Sequence, residues 1–320
     1  MVKRKKTTAS GNDTKVAAII LGIFATAVVL FLCFSKGKEK HPVHLPRKEV
    51  KVHKVIAVRR EERPRTYSEP SDAYIPSESI KPVEPLPAPV PIEKVPGSGG
   101  KIAFIIDDWG NTTANCKYLR DIPEPLAVSI LPGLRHTKDV ASCAKLYHKL
   151  TMLHLPLEAF HNSDPYPQDY IIKTSMPPAL ASRIVDEDLS QLPSIEGVNN
   201  HMGSKATEDK ALMRLVLKKL KSRGLFFVDS MTAPHTVCTL IADEIGLSSG
   251  KRDVFLDNVM NRQAIIVQIM EAARKARRRG YAVAIGHDRP MTMQVLKEEI
   301  PLLESQGFKI VSIKELLKNK

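Results

Sequence analysis

Cysteine and aromatic residues are both scarce in this chain of 320 residues, which holds four cysteines, one tryptophan and only 5% aromatic residues. Cys33 lies within a hydrophobic run, and Cys116, Cys143 and Cys238 are far apart in sequence, without any C-x-x-C pair. A zinc knuckle and a dithiol redox site of that type are therefore excluded. The sequence allows one disulfide among the last three cysteines and does not assign its partners.

The net charge of +13 suggests a nucleic-acid partner until its location is considered. Residues 1–15 and 35–100 each carry a surplus of four positive charges, which leaves +5 for residues 101–320. The densest basic stretch of that last part, residues 274–279, comes just before Gly280, where positive charge complements the carboxyl end of a helix. With few aromatic residues and no recognisable nucleic-acid-binding motif, no DNA or RNA partner is expected.

A membrane helix is predicted at residues 16–34, a run of nineteen residues without a charge. An α-helix of this length, at about 1.5 Å per residue, roughly spans a hydrocarbon core of about 30 Å. The run is longer than the hydrophobic region of a usual signal peptide and no A-x-A-like site follows, so an uncleaved anchor is favoured over a cleaved signal peptide. The basic residues in 1–15 predict a cytoplasmic amino terminus, hence a single-pass protein of the bacterial inner (cytoplasmic) membrane whose main domain is periplasmic or extracytoplasmic.

A disordered, proline-rich linker is predicted over residues 35–100, which contain eleven of the 23 prolines and charges of both signs. Such a segment stays extended and cannot bury enough apolar surface to fold, so it serves as a semi-rigid spacer. A single folded domain is then expected over residues 101–320.

Residues 101–320 alternate between short apolar runs rich in β-branched residues and amphipathic helical segments. The predicted strands are residues 101–106, 126–131, 152–157, 197–201, 224–229, 254–257, 282–287 and 309–313. The predicted helices are residues 179–192, 235–245, 261–279 and 291–305, together with one from Thr207 to a stop at Gly224. This alternation predicts an α/β domain in which a parallel sheet of about seven strands forms a distorted (β/α) barrel.

The carboxyl ends of the predicted strands are unusually polar, and barrels of this kind take their reactive residues from several strand ends. The polar groups are Asp107-Asp108, His154 with Glu158, Asn199-Asn200-His201, Asp229-Ser230 and His287-Asp288. Two adjacent carboxylates raise each other's pKa unless a cation neutralises them, and histidines at neighbouring strand ends are natural nitrogen ligands. A single histidine at a strand end is more often structural, but five polar ends together indicate a divalent metal site.

The same segments resemble the divergent polysaccharide deacetylases, relatives of the carbohydrate esterases that share the chitooligosaccharide deacetylase homology domain. The segments that carry the resemblance, in the order of that family, are FIIDDWG, MLHLPLE, GVNNHMGS, FFVDS, RDVFLDN and AIGHDRPMT. The resemblance covers nearly all of residues 101–320. It implies a distorted (β/α) barrel and the metal-assisted hydrolysis of an N- or O-acetyl group on a polysaccharide or peptidoglycan substrate.

The resemblance also implies roles for individual residues: Asp107 as general base, Asp108 as metal ligand and His287 as general acid. The better-understood relatives take two metal-binding histidines from one loop, whereas this chain offers only His201 there. We infer that His154, one strand earlier, supplies the second imidazole to a divalent ion, which is expected to be zinc.

Four further residues are candidates to orient a ligand or to contact the substrate: Asp229, Glu158, Asn200 and Trp109. The sequence leaves open whether Asp229 joins the metal ligands, and whether Trp109 stacks on a sugar ring or packs within the rim.

Two other classes of protein are alternatives to the deacetylase. A catalytically inactive barrel that binds a glycan or a cell-envelope partner is favoured by the missing histidine pair, whereas the retention of Asp107, Asp108 and His287 favours an enzyme. A glycosidase needs two carboxyl groups about 5–10 Å apart on either side of the bond, and adjacent residues whose side chains alternate across a strand are poorly placed for that. The prediction is therefore a metal-dependent hydrolase.

Overall fold

The computed structural model describes residues 99–161 and 166–317. The predicted membrane helix at residues 16–34 lies outside the described residues, as does the predicted linker except for its last two glycines. Among the helices that the structure does describe, none combines the length and the apolar composition needed to cross a membrane. The three cysteines of this part of the chain carry free thiols.

Nine strands of the described ranges form one sheet in which every pairing is parallel. They are β1 (Lys101–Trp109), β2 (Leu126–Ile130), β3 (Leu150–Leu157), β4 (Gly197–Met202), β5 (Phe226–Asp229), β6 (Ser249–Lys251), β7 (Val254–Phe255), β8 (Tyr281–His287) and β9 (Lys309–Ile310). The order across the sheet is β6-β5-β4-β3-β2-β1-β8-β7, and β9 pairs with the first residues of β1. The predicted α/β class is confirmed in the form of a curled, parallel half-barrel.

The described residues form nine strands where about seven were predicted, and only β6 lies outside the apolar runs given above. β6, with the sequence Ser-Gly-Lys, has no apolar run by which it could be recognised. β7 and β9 each span two residues, so the longer runs predicted there are mostly loop.

Eight α-helices occur in the part of the chain that the structure covers, and most of them connect successive strands. They are α1 (Cys116–Asp121), α2 (Thr137–Leu146), α3 (Pro178–Gln191), α4 (Lys210–Ser222), α5 (Cys238–Ile245), α6 (Arg262–Arg279), α7 (Pro290–Ser305) and α8 (Ile313–Leu317). Two 3-10 helices, Gln168–Tyr170 and Ala206–Glu208, complete the set. The helix predicted from Thr207 thus begins as a 3-10 turn, and Asp209 caps α4 by accepting a hydrogen bond from the backbone of Leu212.

Two apolar layers hold the sheet in place, and alternate residues of β1 contribute to each. Phe104 and Ile106 face the helices in the larger core, whereas Ala103 and Ile105 face the interior of the half-barrel. α8 belongs to the interior layer through residues such as Leu316.

Ion pairs tie α8 to the amino ends of the strands. Glu315 pairs with Lys101, the first residue of β1, and Lys314 pairs with Glu196, just before β4. α8 therefore lies at the amino ends of the strands. The polar residues lie at the opposite, carboxyl ends of the strands.

A bulge interrupts β1 at the paired aspartates. Ile106 pairs with Val128 and Trp109 pairs with Ile130, so three steps along β1 match two steps along β2. Asp108 occupies the left-handed region with φ 64°, which aspartate tolerates better than most residues.

The bulge brings both aspartates to the same side of the sheet. Asp107 continues the inward face of Ala103 and Ile105, and Trp109 returns to the helix-covered core. In a regular strand Asp108 would point away from Asp107. The left-handed turn instead directs its carboxylate to the mouth of the half-barrel, where it approaches histidines of other strands.

The position of α8 predicts that Leu316→Ala destabilises the domain. Leu316 is 6% exposed and fills the interior layer, so its truncation is expected to lower the free energy of unfolding by about 2–5 kcal/mol. Leu302→Ala, at a position 51% exposed on α7, is the matched control and is expected to cost less than about 0.5 kcal/mol. Urea unfolding followed by circular dichroism measures both, and equal effects would contradict the placement of α8.

Candidate active site and metal centre

The predicted site residues meet at the carboxyl edge of the sheet. β1 contributes Asp107 and Asp108, β3 contributes His154, β4 contributes His201, and β8 contributes His287. Because β1 and β8 pair in parallel register, Asp107 lies directly beside His287. The order of strands, rather than closeness in sequence, brings these five side chains together.

Asp108, His154 and His201 form a cluster suited to a divalent cation. Oδ1 of Asp108 lies 3.3 Å from Nε2 of His154 and 3.2 Å from Nδ1 of His201. One ligand atom from each residue lies within 4.8 Å of the other two. Both imidazoles are buried, while the Asp108 side chain is one-third exposed and opens the cluster to solvent.

The ligand set fits zinc in both distance and chemistry. Oδ1 of Asp108 is buried and makes no hydrogen bond to any residue that the structure describes, although two imidazole nitrogens face it. Zinc ligands at about 2.0–2.1 Å in a tetrahedron are separated from one another by about 3.4 Å, close to the two distances observed here. Two imidazoles and one carboxylate would hold the ion and leave a fourth position open, as in catalytic zinc sites.

Asp107 is the more deeply buried of the two aspartates, with 2% of its surface exposed. The side-chain amide of Asn199 donates hydrogen bonds to both of its oxygens, at 2.9 and 3.1 Å, and Oδ2 lies 3.7 Å from Nε2 of His154. Burial raises the pKa of Asp107, and this effect outweighs the charges of His154 and His287, which lower it. A carboxylate with a raised pKa is a better proton acceptor near neutral pH.

The pKa of Asp108 is displaced in the opposite direction. Burial alone would raise it, but the close approach of the His154 and His201 imidazoles, together with the charges of His201 and His287, holds the pKa well below its usual range. Asp108 therefore stays ionised, as a metal ligand must. Two adjacent carboxyl groups thus have different chemistry because one is sealed in the core and the other faces cations.

His287 is held by a buried carboxylate, that of Asp257. Nδ1 of His287 lies 2.8 Å from Oδ1 of Asp257, whose Oδ2 accepts hydrogen bonds from the His287 backbone at 2.9 Å and from Thr292 Oγ1 at 2.7 Å. Nε2 of His287 lies 3.9 Å from Oδ2 of Asp108, so it faces the proposed metal centre.

The environment of His287 favours its protonated form. Burial alone would lower the pKa of His287, but the hydrogen bond with Asp257 and the negative charges of Asp108, Asp257 and Asp107 outweigh burial and raise it. An imidazole with a raised pKa carries the proton that a general acid donates.

Glu158 and Asp229, two of the further candidates, hold loops at the rim. Glu158 Oε2 accepts hydrogen bonds from the backbone and the hydroxyl of Thr174, both at 2.7 Å, and Oε1 pairs with Lys205 at 2.9 Å. Asp229 accepts hydrogen bonds from the backbone of Met231 at 2.8 Å and from the Thr236 hydroxyl at 2.7 Å. Asp229 is not part of the three-residue metal cluster.

Asn200 and Trp109 also have structural surroundings. Asn200 accepts a hydrogen bond from the backbone of Ser230 at 2.9 Å and donates one to the Met202 carbonyl at 2.7 Å, which joins the ends of β4 and β5. Trp109 is fully buried in the helix-covered core. In this structure the Trp109 ring packs in the core and presents no exposed face to a sugar ring.

Asn199 and Asp257 contact the site but are not among the predicted site residues. Asn199 belongs to a polar strand end, but a sequence does not show which of two adjacent asparagines faces inward. Asp257 had a usable signal: it ends the predicted strand VFLD in the same way that Asp229 ends FFVD.

Comparisons with known proteins give one family and two uncharacterized relatives. A family model described as divergent polysaccharide deacetylase matches residues 104–317. The uncharacterized protein YibQ of Escherichia coli (strain K12) is 33% identical over 209 residues, which is 64% of this chain and 64% of that relative. An uncharacterized protein of Haemophilus influenzae is 30% identical over 220 residues, which is 69% of this chain and 78% of the relative.

The fold also occurs among solved structures. The crystal structure of an uncharacterized protein from Agrobacterium tumefaciens C58 superposes with a TM-score of 0.64 at 20% sequence identity, covering 69% of this chain and 91% of that one. At this identity the similarity concerns the fold.

Asp257→Asn is predicted to lower the pKa of His287. The variant keeps the shape of the side chain but removes the negative charge that favours the imidazolium form. The pKa is measured by NMR titration of the histidine ring in the metal-free full-length chain. Asp121→Asn, which alters a surface carboxylate paired with Lys297, is the control and should leave His287 unchanged. An unaltered His287 pKa in Asp257→Asn would contradict the role of this pair.

Proposed function

The chain belongs to the divergent polysaccharide deacetylase family, and on this premise we propose that residues 101–320 form a metal-dependent hydrolase that removes acetyl groups from an envelope or extracellular polysaccharide. The observation that carries the proposal is the convergence of three metal-ligand atoms with a buried carboxylate and an imidazole at one strand edge. Peptidoglycan and other acetylated glycans are the proposed substrates.

The reaction breaks the bond between the acetyl carbon and a sugar nitrogen or oxygen, with water supplying the new oxygen on carbon. A divalent ion held by Asp108, His154 and His201 would polarise the acetyl carbonyl and lower the pKa of a bound water. Asp107, whose pKa is raised by burial, accepts the proton of the attacking water. The donors from Asn199 keep the Asp107 carboxylate in one orientation for this transfer.

His287 completes the proton balance. Its Nδ1 is engaged with Asp257, which leaves Nε2 to donate a proton to the departing amine or hydroxyl of the sugar. After the reaction Asp107 holds an extra proton and His287 lacks one. Asp107 then releases its proton to solvent and His287 takes one up, which restores the starting state. Base and acid are thus separate residues on neighbouring strands, β1 and β8.

Zinc is the proposed ion, because imidazole ligands favour it over magnesium and calcium, which prefer oxygen ligands. Asp108 supplies the single carboxylate, and its lowered pKa keeps that ligand ionised.

A second candidate function is a catalytically inactive barrel that binds a glycan or an envelope partner. It is favoured by the origin of the two histidines on separate strands, since the sequence lacks the histidine pair on one loop that the active relatives use. This candidate predicts glycan binding without release of acetate, so one assay separates the two.

We also propose that the chain is a single-pass protein of the bacterial inner membrane, anchored through residues 16–34, with residues 101–320 on the periplasmic side. The support is the uncharged run and the basic segment at residues 1–15 that precedes it. The full-length chain should remain with the membrane fraction after a high-salt wash, and protease added to spheroplasts should digest the domain. Recovery of intact domain in the soluble cytoplasmic fraction would contradict the proposal.

Two substitutions at the paired aspartates test the reaction. Asp108→Ala is expected to lose bound metal and activity together, whereas Asp107→Asn should keep the metal and lose about 10²–10⁴-fold in rate, because only the base is removed. Metal is measured by mass spectrometry of the purified full-length chain, and acetate release is measured on peptidoglycan, chitooligosaccharide and other acetylated glycans.

The control for these variants is Asp186→Asn, a surface change at an aspartate that pairs with Lys219 and Arg223. It should alter neither metal content nor rate. Normal metal retention by Asp108→Ala would refute the ligand assignment. A metal-loaded wild-type protein that releases no acetate from any of these glycans would favour the inactive barrel.

A further inference from the structure

Asn199 is a fully buried amide that touches both halves of the candidate site. Its Nδ2 donates to the two oxygens of Asp107 at 2.9 and 3.1 Å and approaches Ser230 Oγ at 3.3 Å. Its Oδ1 accepts from Nδ1 of His154 at 2.9 Å and from the hydroxyl of Ser129. One side chain therefore connects the proposed base to a proposed metal ligand.

The chemistry of the partners determines which way the amide faces. An ionised carboxylate only accepts hydrogen bonds, so the nitrogen of Asn199 must face Asp107. The amide oxygen also only accepts, and it therefore faces His154, whose Nδ1 must carry the proton. The other ring nitrogen, Nε2, then presents its lone pair toward Asp108, 3.3 Å away.

Backbone register makes this connection rigid. In the ladder between β3 and β4, His154 and Asn199 are direct partners. Both side chains lie on the inward face of the sheet, and the hydroxyl of Ser129 on β2 adds a third strand to the network. A change in the Asn199 side chain therefore alters the orientation of His154 without altering the ladder itself.

We infer that Asn199 is a positioning residue that fixes His154 in the tautomer able to bind a metal through Nε2 and holds the Asp107 carboxylate in place as base. The inference rests on the proposed function, since it assigns Asn199 to the same centre. The two polar atoms of the Asn199 side chain have different roles: Oδ1 orients His154, and Nδ2 orients Asp107.

The two roles separate in the variants Asn199→Ala and Asn199→Asp. Alanine removes both the acceptor for His154 and the donor to Asp107. Aspartate keeps an acceptor for Nδ1 of His154 but replaces the donor by a second carboxylate, which must share a proton with Asp107. Zn²⁺ affinity should therefore depend on whether residue 199 offers an acceptor to His154. The rate of acetate release should depend on whether it offers a donor to Asp107.

The first test needs no substitution. In the metal-free full-length chain, with histidine labelled with nitrogen-15 and at a pH where the imidazole is neutral, NMR identifies which ring nitrogen of His154 carries the proton. The inference requires the proton on Nδ1. A proton on Nε2 would overturn it, whether or not the protein is an active enzyme.

The second test measures Zn²⁺ affinity by competition with a chelator. Asn199→Ala should bind Zn²⁺ about 10–100-fold more weakly, as loss of a hydrogen bond to a ligating histidine does elsewhere. Asn199→Asp should bind Zn²⁺ more tightly than Asn199→Ala, although both lose acetate release at saturating Zn²⁺. Equal affinity of wild type and a folded Asn199→Ala would overturn the inference.

Asn115→Ala is the matched control, because Asn115 is also a buried asparagine at the rim, but its side-chain amide donates to Asp288 and not to the proposed base. Its Zn²⁺ affinity should equal that of wild type. Should Asn199→Ala fail to fold, the inference is tested by the His154 tautomer and by the Zn²⁺ affinity of Asn199→Asp. Zn²⁺ affinity does not depend on turnover, so a failure of the deacetylase proposal alone would leave the affinity pattern of the variants intact.

Discussion

The left-handed backbone of Asp108 is the constraint on which the rest of the site depends. A regular strand would place two successive carboxylates on opposite faces of the sheet. The bulge in β1 instead leaves Asp107 on the inward face and turns Asp108 toward His154 and His201. Each carboxylate thereby enters a different environment, and burial and cationic neighbours shift their pKa values in opposite directions. The division between base and ligand in the proposed reaction follows from that one conformation.

Burial of the carboxylates at the site is tolerated because they have hydrogen-bond partners or face imidazoles. An unpaired buried carboxylate costs far more than a hydrogen-bonded one, and partly satisfied networks are unstable. Asp107 is satisfied by Asn199, and Asp257 by His287 and Thr292. Asp108 Oδ1 is one of a few buried side-chain atoms among the described residues for which no hydrogen bond is found. Two imidazole nitrogens lie 3.2 and 3.3 Å from it, so a cation bound there would compensate for its burial.

The features of this molecule that depend on periodicity can be predicted from its sequence, whereas those that depend on the register between strands cannot. The apolar runs predicted the parallel sheet, and the polar strand ends indicated a metal site. The assignment of Asp108, His154 and His201 to that site came with the resemblance to a known family. Nothing in a single sequence shows the bulge, because it follows from pairing between β1 and β2. Asn199 was missed for a related reason: its role exists only because the β3–β4 ladder sets it beside His154. Short β6 lacks the apolar pattern from which strands are recognised.

Because His154 and His201 lie on separate strands, the sheet rather than a loop determines the geometry of the candidate metal centre. Two ligands on one loop move together when that loop moves, whereas His154 and His201 are held by a ladder whose strands are about 4.8 Å apart. His201 is paired in register with Pro156, two residues beyond His154, so the imidazoles approach from adjacent strands along one face. A sheet fixes such positions more firmly than a loop does, but it leaves each ring free to rotate. That remaining freedom is what a buried hydrogen-bond partner removes, and in this structure Asn199 occupies the required place beside His154.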